Sequence, residues 1–306
     1  MGVIDALGYG SRIVVRRPYL VAVPVLVDLI IWLLPPISTR EAITASLDPE
    51  YLATQPDNVL GFSEISWLLG FFVPSTGLLA ANLEAVGSTI ELTTIGSVLS
   101  ATILLIVGGA IFGTMYLVLL ANAIEGGKPR FNFMSEIANK SPKLVGLAVG
   151  AAAGIMITAA GLVLLAVLLA LAASSLPVVI VVLFGLVMLV ASLAFFAGML
   201  AAGLVLYFAV VALILEPVSI RDSIRRSISF WRGNLVPGIV FVLLVTLIQW
   251  GITFIWLGLS QVTPGLIISV FGSAFIGTGI SAGSMVFYVN RLSSLPEVAA
   301  NDPLGA

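Results

Sequence analysis

The 306-residue sequence contains no cysteine and no histidine. These absences exclude disulfides, thiol nucleophiles, imidazole bases and the usual ligands of zinc, haem and iron–sulfur clusters. Carboxylates remain, but the acidic residues show neither the spacing of a calcium-binding loop nor a regular pairing. No basic patch large enough for a nucleic acid is present outside three short segments. We therefore expect a non-enzymatic protein without a cofactor, a bound metal or a nucleic-acid partner.

Charge is also scarce, since 9% of the residues are charged and 60% are apolar. A soluble domain carries about 25% charged residues because its surface must be solvated. In this chain, uncharged apolar runs of about 18 residues or more recur, which is the length that a transmembrane helix needs. The composition predicts an all-α, polytopic membrane helix bundle that forms a single integral membrane domain over residues 1–292.

Six segments are long and apolar enough to be predicted as transmembrane helices. They cover residues 19–36, 96–122, 144–173, 178–215, 236–257 and 266–290. The fourth segment would be nearly 60 Å long at ~1.5 Å per residue, whereas the hydrocarbon core of a bilayer is ~30 Å thick. We expect this helix to tilt, to kink near Gly198 or Gly203, or to project beyond the bilayer.

The basic residues are distributed asymmetrically around these six spans. All of them except Arg40 fall on one side, which predicts that this side is cytoplasmic and that both termini lie there. A seventh span within residues 178–215 would move four arginines to the outside, so the bias argues against it. Residues 37–95 then form an extracytoplasmic cap, and residues 293–306 a disordered cytoplasmic tail.

Three cytoplasmic segments resemble one another, and each precedes a span that runs outwards. They are SRIVVRRPYLV from Ser11, SEIANKSPKLV from Ser135 and SISFWRGNLVP from Ser227. We interpret them as a threefold internal repeat of an interfacial elbow helix and a transmembrane hairpin, with elbows at residues 1–18, 130–143 and 218–234. Convergence on the chemistry of membrane entry is the alternative explanation.

The third elbow has the pattern of an amphipathic helix. Ile220, Ile224, Ile228 and Trp231 fall on one helical face, which we expect to insert into the lipid. A solvated loop is the alternative. Basic residues of the elbows are expected to contact anionic headgroups of the inner leaflet, each contact contributing about 1 kcal/mol. These residues are Arg16, Arg17, Lys140, Lys143, Arg221, Arg225, Arg226 and Arg232.

Two acidic residues are predicted to pair with the arginines of this elbow. Asp222 lies one helical turn before Arg226 and can pair with it. Glu216 ends the fourth span, where a negative charge is unfavourable unless a cation lies near. We therefore predict a structural ion pair between Glu216 and an arginine of the third elbow.

The run from Glu216 to Asn234 carries a resemblance to known proteins. It contains Glu216-Pro217, then Ser223-Ile224-Arg225-Arg226-Ser227, then Trp231-Arg232-Gly233-Asn234. It resembles a motif of prokaryotic membrane proteins related to the membrane domain that precedes some bacterial glycerophosphodiester phosphodiesterases. The resemblance covers about residues 200–260 and implies six spans, elbow helices and the inner (plasma) membrane of a prokaryote, but no site residues. Because 15 residues follow Arg291, we expect no phosphodiesterase domain.

Asp28 is the acidic residue nearest the middle of a predicted span. Burying a carboxylate there costs about 2.5–3.5 kcal/mol, so we expect it to face the bundle or water. Every lysine and arginine lies outside the spans, which leaves neutral partners such as Gln249 or Thr253, an ion, or protonation. These three residues form the candidate intramembrane site, and a structural hydrogen bond is the alternative.

Glycines at four-residue spacing predict close helix packing. They are Gly109 and Gly113, then Gly146, Gly150 and Gly154, then Gly279 and Gly283. The leading functional hypothesis is a non-enzymatic membrane protein that transports or handles a lipid or small solute. The alternatives are a scaffold that docks a membrane-protein partner or a second copy of itself, and a lipid-active intramembrane enzyme.

Overall fold

The computed structural model of the protein describes residues 2–44, 65, 68, 72–74, 78–83, 88–126, 133–173 and 178–292. Within these residues the regular structure is almost entirely helical. Five helices are long and apolar enough to cross a membrane: Ile95–Ile124, Phe133–Leu165, Val182–Leu215, Leu235–Leu259 and Thr263–Leu292. The all-α class and the multi-pass membrane character are therefore confirmed. Most of the predicted cap and the whole tail lie outside the described residues.

The described helices are numbered here in chain order. They are α1 (Val3–Arg16), α2 (Ala22–Leu33), α3 (Arg40–Thr44), α4 (Leu78–Asn82), α5 (Ile95–Ile124), α6 (Phe133–Ala173), α7 (Val178–Leu215), α8 (Ile220–Gly233), α9 (Leu235–Leu259) and α10 (Thr263–Leu292). A 3₁₀ turn, Pro18–Val21, precedes α2. Two short parallel strands, β1 (Ile37–Ser38) and β2 (Ile90–Glu91), pair Ile37 with Ile90 and Ser38 with Glu91.

The first predicted span is shorter than the other five. The apolar helix there covers Pro18–Leu33, below the length of about 20 residues that spans a bilayer without adjustment. Leu34 is already extended, with ψ at 139°. Pro35 and Pro36 follow it, and the residue before a proline is disfavoured in the helical region. The two prolines therefore explain why the helix ends before the predicted boundary.

The second predicted elbow is not a separate helix. Residues 133–143 are the first turns of α6, which continues without a break through Pro142 to Ala173. Lys140 donates a hydrogen bond from Nζ to the carbonyl oxygen of Ile214, at 2.6 Å, and Lys143 to that of Val218, at 2.9 Å. The two lysines flank Pro142 and bond carbonyls at and just beyond the end of α7.

Helix α10 is the centre of the bundle. It contacts α1, α2, α4, α5, α7 and α9, and no residue from Ser273 to Tyr288 is exposed. Around its last turns a cluster of aromatic rings joins α7, α8, α9 and α10. The cluster consists of Phe208, Phe230, Phe241, Phe287 and Tyr288. We call this end of the bundle, where α5 and α7 end and α9 begins, the basic end, and the opposite one the far end.

Helix α1 lies antiparallel along the C-terminal half of α10. A Cβ on Gly283 would be 3.0 Å from the Leu7 Cα, and one on Gly10 would be 2.4 Å from the Gly279 carbonyl oxygen. Ser11 lies against Gly279 in turn. Because these positions carry no side chain, the two backbones touch. The amphipathic helix at the N-terminus therefore packs directly on an apolar helix of the bundle.

Helix α8 folds back in the same way along the end of α7. Ser227 donates a hydrogen bond from Oγ to the Val205 carbonyl, at 2.6 Å, and Trp231 donates one from Nε1 to the Leu204 carbonyl, at 3.0 Å. Of the face that was predicted to insert into lipid, Trp231 is buried against α7, whereas Ile228 is exposed. The small Ser227 allows close approach to α7, and its hydroxyl bonds one of the carbonyls there.

Candidate functional site

The packing of α7 changes abruptly along its length. Phe208, Ala209 and residues 211–214 are all buried at the basic end. In contrast, every residue from 196 to 203 is exposed, including Phe196 at 63%. A stretch of eight residues makes about two helical turns, so it presents all faces of the helix. No described element therefore packs closely against α7 at this level.

Two other helices also have runs of exposed residues towards the far end. Residues 153–158 of α6 are all exposed, and so are residues 249–251 and 253–255 of α9. With residues 196–203 of α7, these segments define what we call the lateral opening. The bundle is thus closed around α10 at the basic end, whereas α6, α7 and α9 each carry a run of exposed residues beyond it.

The surface of the lateral opening is uncharged and, apart from Gln249 and two threonines, apolar. Its two threonines bond within their own helices, Thr158 to the Gly154 carbonyl and Thr253 to the Gln249 carbonyl, both at 2.7 Å. A shallow depression on α9 is lined by Trp250, Thr253 and Phe254. Such a surface suits hydrocarbon chains better than hydrated solutes.

A group of buried hydroxyls lies next to the opening. Tyr207, one helical turn beyond Gly203, is 38% exposed, and its hydroxyl forms a short hydrogen bond with Ser284 of α10. Tyr116 of α5 is fully buried and its hydroxyl lies near those of Thr278 and Ser281. We call these five residues the hydroxyl cluster. It joins α5, α7 and α10 where the bundle closes.

The predicted trio of Asp28, Gln249 and Thr253 does not assemble. Asp28 is 1% exposed and is not without a partner. Gln249 and Thr253 are exposed on α9, and Thr253 bonds its own helix. Helix α9 is apolar on all sides, so its sequence did not indicate which face turns inwards. The correction removes Gln249 and Thr253 as partners of the buried acid.

The predicted glycines fall into two groups. Four lie in close packing: Gly109 is buried, a Cβ on Gly113 would overlap Phe72, and Gly279 and Gly283 lie against α1. The three glycines of α6 were also predicted to pack closely, but two of them do not contact a described helix. Gly146 lies near Ile220, but a Cβ on Gly150 or Gly154 would meet nothing within 4 Å among the described atoms.

The basic residues also separate into two groups. Arg17 donates a hydrogen bond to the Ala123 carbonyl, at 2.9 Å, and Lys140 and Lys143 bond the end of α7 as described above. These three were predicted to contact headgroups. Arg17 and Lys140 instead bond carbonyls in the last turn of a helix, which lack a helical partner, and Lys143 bonds one in the linker between α7 and α8. The other five are exposed: Arg16, Arg221, Arg225, Arg226 and Arg232.

The ion pair at the end of α7 confirms one prediction and corrects another. Arg226 pairs with Glu216, as predicted for the acidic residue that ends this helix. Asp222 does not pair with Arg226; its carboxylate accepts a hydrogen bond from the hydroxyl of Ser219, at 2.6 Å. Ser219 also accepts from the Asp222 amide, at 3.2 Å. The two residues therefore cap the start of α8.

The hydroxyl cluster was missed at the level of sequence. Its members are isolated polar residues within three apolar helices, and no spacing links residues of different helices. Within the part of the chain that the structure describes, no group of acidic residues could hold a metal ion.

Comparison with known proteins gives no further guide to the site. The chain matches no protein-family model, no curated protein and no solved structure. The relation to the membrane domain of glycerophosphodiester phosphodiesterases stays a prediction.

Proposed function

We propose that this protein is a non-enzymatic membrane protein that binds and handles a lipid, whose acyl chains occupy the lateral opening. The observation that carries the proposal is the contrast along α7. Residues 196–203 are exposed on all faces, whereas residues 211–214 are buried. A helix that leaves its bundle within the apolar part of a membrane exposes that level to lipid chains from the side.

The proposal places α2 as a sixth span and both termini in the cytoplasm of a prokaryote. Two contacts support a repeated organisation. Arg17, just after α1, bonds the end of α5, and Lys140, in the first turns of α6, bonds the end of α7. Helices α1 and α8 each lie antiparallel along a long helix, α10 and α7 respectively. We assign two units to α10–α1–α2 and α7–α8–α9, each with an elbow helix between two spans, and the third unit to α5 and α6, in which the elbow residues are the first turns of α6.

The proposed orientation places the exposed arginines of α8 at the anionic inner leaflet. Arg221, Arg225 and Arg232 are exposed, whereas Arg226 is paired with Glu216. Each unpaired cation adds about 1 kcal/mol of attraction to an anionic surface. The basic end is thereby held at the cytoplasmic leaflet, and the lateral opening faces the outer half of the bilayer.

Two glycines of α7 provide a matched test of the opening. A Cβ on Gly198 or on Gly185 would meet nothing within 4 Å among the described atoms, so leucine at either position leaves the described packing intact. Only Gly198 lies in the opening. We expect Gly198→Leu to lose lipid that the wild type retains through purification, measured by native mass spectrometry, and Gly185→Leu to keep it. Equal retention by both variants would refute lipid binding in the opening.

The second candidate function is a scaffold that docks another membrane helix, because two glycines of α6 have no described neighbour. Glycines at positions 150 and 154 lie four residues apart, and a Cβ on either would meet no described atom within 4 Å, which is the arrangement that lets a second helix approach closely. If these glycines bind a membrane helix, Gly154→Leu will release a partner or a second copy from the purified protein. Gly161→Leu, on the same helix and equally bare, is the control.

A further inference from the structure

We infer that the junction of α8 and α9 binds an anionic phospholipid, with the phosphate at Arg232 and the acyl chains along the exposed face of α9. The site is separate from the lateral opening and rests on the proposed function only for the orientation that places α8 at the inner leaflet. Within five residues the surface changes from charged to apolar. Arg232 is exposed at the end of α8, and Leu235 and Val236 are 56% and 71% exposed at the start of α9.

The exposed face of α9 continues from this junction as an apolar stripe. Its residues recur at intervals of four, three and four, which is the spacing of one helical face. They are Val236, Val240, Leu243 and Leu247, and all four are exposed. The opposite face, with Gly238, Phe241 and Val245, is buried. At ~1.5 Å per residue the stripe is about 16 Å long, which is close to half of the ~30 Å hydrocarbon core and so to the depth of one leaflet.

The short connection between the two helices is held by contacts on both sides. Asn234 donates from its amide to the Phe230 carbonyl, at 2.9 Å, and its own carbonyl accepts from the Gly238 amide, at 2.8 Å. The Trp231 ring lies against Gly238, where a Cβ would be 2.7 Å from a ring atom. These contacts tie the last turn of α8 to the first turn of α9, so Arg232 stays next to the start of the apolar stripe.

The charges at the junction favour an anionic ligand. Arg225 and Arg232 are exposed, and neither is paired with an acidic residue that the structure describes. A guanidinium can bond two phosphate oxygens at once, which suits Arg232 to a phosphodiester. Arg225 lies two helical turns, about 10 Å, before it, so a positively charged choline head would meet a second cation there. The ligand class is therefore a phospholipid with a net negative charge, such as phosphatidylglycerol.

The test compares two lipids with the same chains. Purified full-length protein in detergent is titrated with dioleoylphosphatidylglycerol or with dioleoylphosphatidylcholine, and bound lipid is counted by native mass spectrometry. We expect the wild type to bind phosphatidylglycerol about 5-fold more tightly, which is the effect of one cation near an anionic head. Arg232→Gln should remove that preference, whereas Arg232→Lys, which keeps the charge, should retain it.

Arg221→Gln is the matched control on the same helix. Arg221 is also exposed, but it lies eleven positions, about 16 Å, from Arg232 and from the apolar stripe, so its loss should leave the preference intact. An equal loss in Arg221→Gln and Arg232→Gln would indicate general attraction to a charged surface and would overturn the site. A preference that survives in Arg232→Gln, or is absent from the wild type, also overturns it. If dihexanoylphosphatidylglycerol binds as tightly as the dioleoyl lipid, the stripe holds no chains and the inference is likewise wrong.

Gly198→Leu separates this site from the lateral opening. It should leave the preference for phosphatidylglycerol unchanged, because Gly198 lies on α7, outside the junction. If Gly198→Leu removes the preference while Arg232→Gln does not, the anionic lipid occupies the opening and the junction site is wrong. If Gly198→Leu and Gly185→Leu retain lipid equally while Arg232→Gln loses the preference, the opening is rejected as a binding site and the junction site stands.

Discussion

Arg17 donates a hydrogen bond from Nη1 to the carbonyl oxygen of Ala123, 2.9 Å away. Residue 17 directly follows α1 and residue 123 lies in the last turn of α5, so one side chain joins segments that are 106 positions apart. The last carbonyls of a helix lack intrahelical donors and carry the negative end of its dipole. The guanidinium of Arg17 donates to one of these carbonyls and places a positive charge at the negative end of the helix dipole.

The contact predicts an asymmetry between two adjacent arginines. Arg17→Met should lower the free energy of unfolding by about 1.5–3 kcal/mol, because a charged hydrogen bond is lost. Arg16→Met removes an exposed side chain and should change it by about 0.5 kcal/mol or less. Thermal unfolding of the two variants in the same detergent measures the difference. Equal melting temperatures would show that the bond to Ala123 contributes nothing to stability.

The contact of α1 with α10 predicts opposite effects at two glycines of one helix. A Cβ on Gly10 would lie 2.4 Å from the Gly283 amide nitrogen, whereas one on Gly8 would meet nothing within 4 Å among the described atoms. Gly10→Ala should therefore destabilise the protein by about 1–3 kcal/mol through overpacking.

Gly8→Ala is the control for this substitution. It should stabilise the protein by roughly 0.5–1 kcal/mol, because alanine loses less backbone entropy than glycine in a helix. Thermal unfolding in the same detergent measures whether each substitution raises or lowers the stability. A stabilising Gly10→Ala would mean that α1 is detached from α10 in solution.

These two contacts show how far the sequence could predict the fold. Apolar runs specify the long helices, because length and hydropathy are local properties. The glycine pair at Gly279 and Gly283 indicated a close approach. Its partner is the N-terminal helix, more than 260 positions away, and no local pattern encodes that pairing. The amphipathic pattern of α1 is equally compatible with a lipid surface and with a protein surface.

The site was less predictable for the same reason. In α8 the isoleucine face was assigned to the lipid, and nothing in the sequence indicated that Ser227 and Phe230 are buried against a carbonyl and a ring of α7. A serine on an amphipathic helix gives no sign of such a partner. In α9, apolar residues surround the helix, so the outward direction of Gln249 could not be derived from periodicity.

Asp28 provides a third prediction, on the buried acid of α2. It is 1% exposed and already has a partner, so replacing it with an apolar residue leaves that partner unsatisfied. Asp28→Leu should destabilise the protein by about 1–3 kcal/mol, whereas Asp28→Asn keeps the shape and a hydrogen-bonding oxygen. Unfolding in detergent compares them. A more stable Asp28→Leu would instead mark the acid as one kept for function at the expense of stability.

The cysteine-free sequence allows the proposed topology to be tested one residue at a time. Single cysteines at Gly8, Ser88, Ser229 and Gln261 occupy exposed positions before α2, before α5, on α8 and between α9 and α10. Six spans with cytoplasmic termini place Ser88 and Gln261 outside and the other two inside. A membrane-impermeant maleimide added to intact cells should label only the Ser88→Cys and Gln261→Cys variants.

The decisive comparison is between Gly8 and Ser88, because α2 is the short helix. If Pro18–Leu33 crosses the bilayer, these two positions lie on opposite sides, and Gly8→Cys reacts only after the cells are permeabilised. If it does not cross, the Gly8→Cys and Ser88→Cys variants react together while Ser229→Cys and Gln261→Cys still differ. The bilayer can thin locally around a short span at a modest cost, and the proposed orientation places the exposed arginines of α8 at the anionic inner leaflet. We therefore expect the first result.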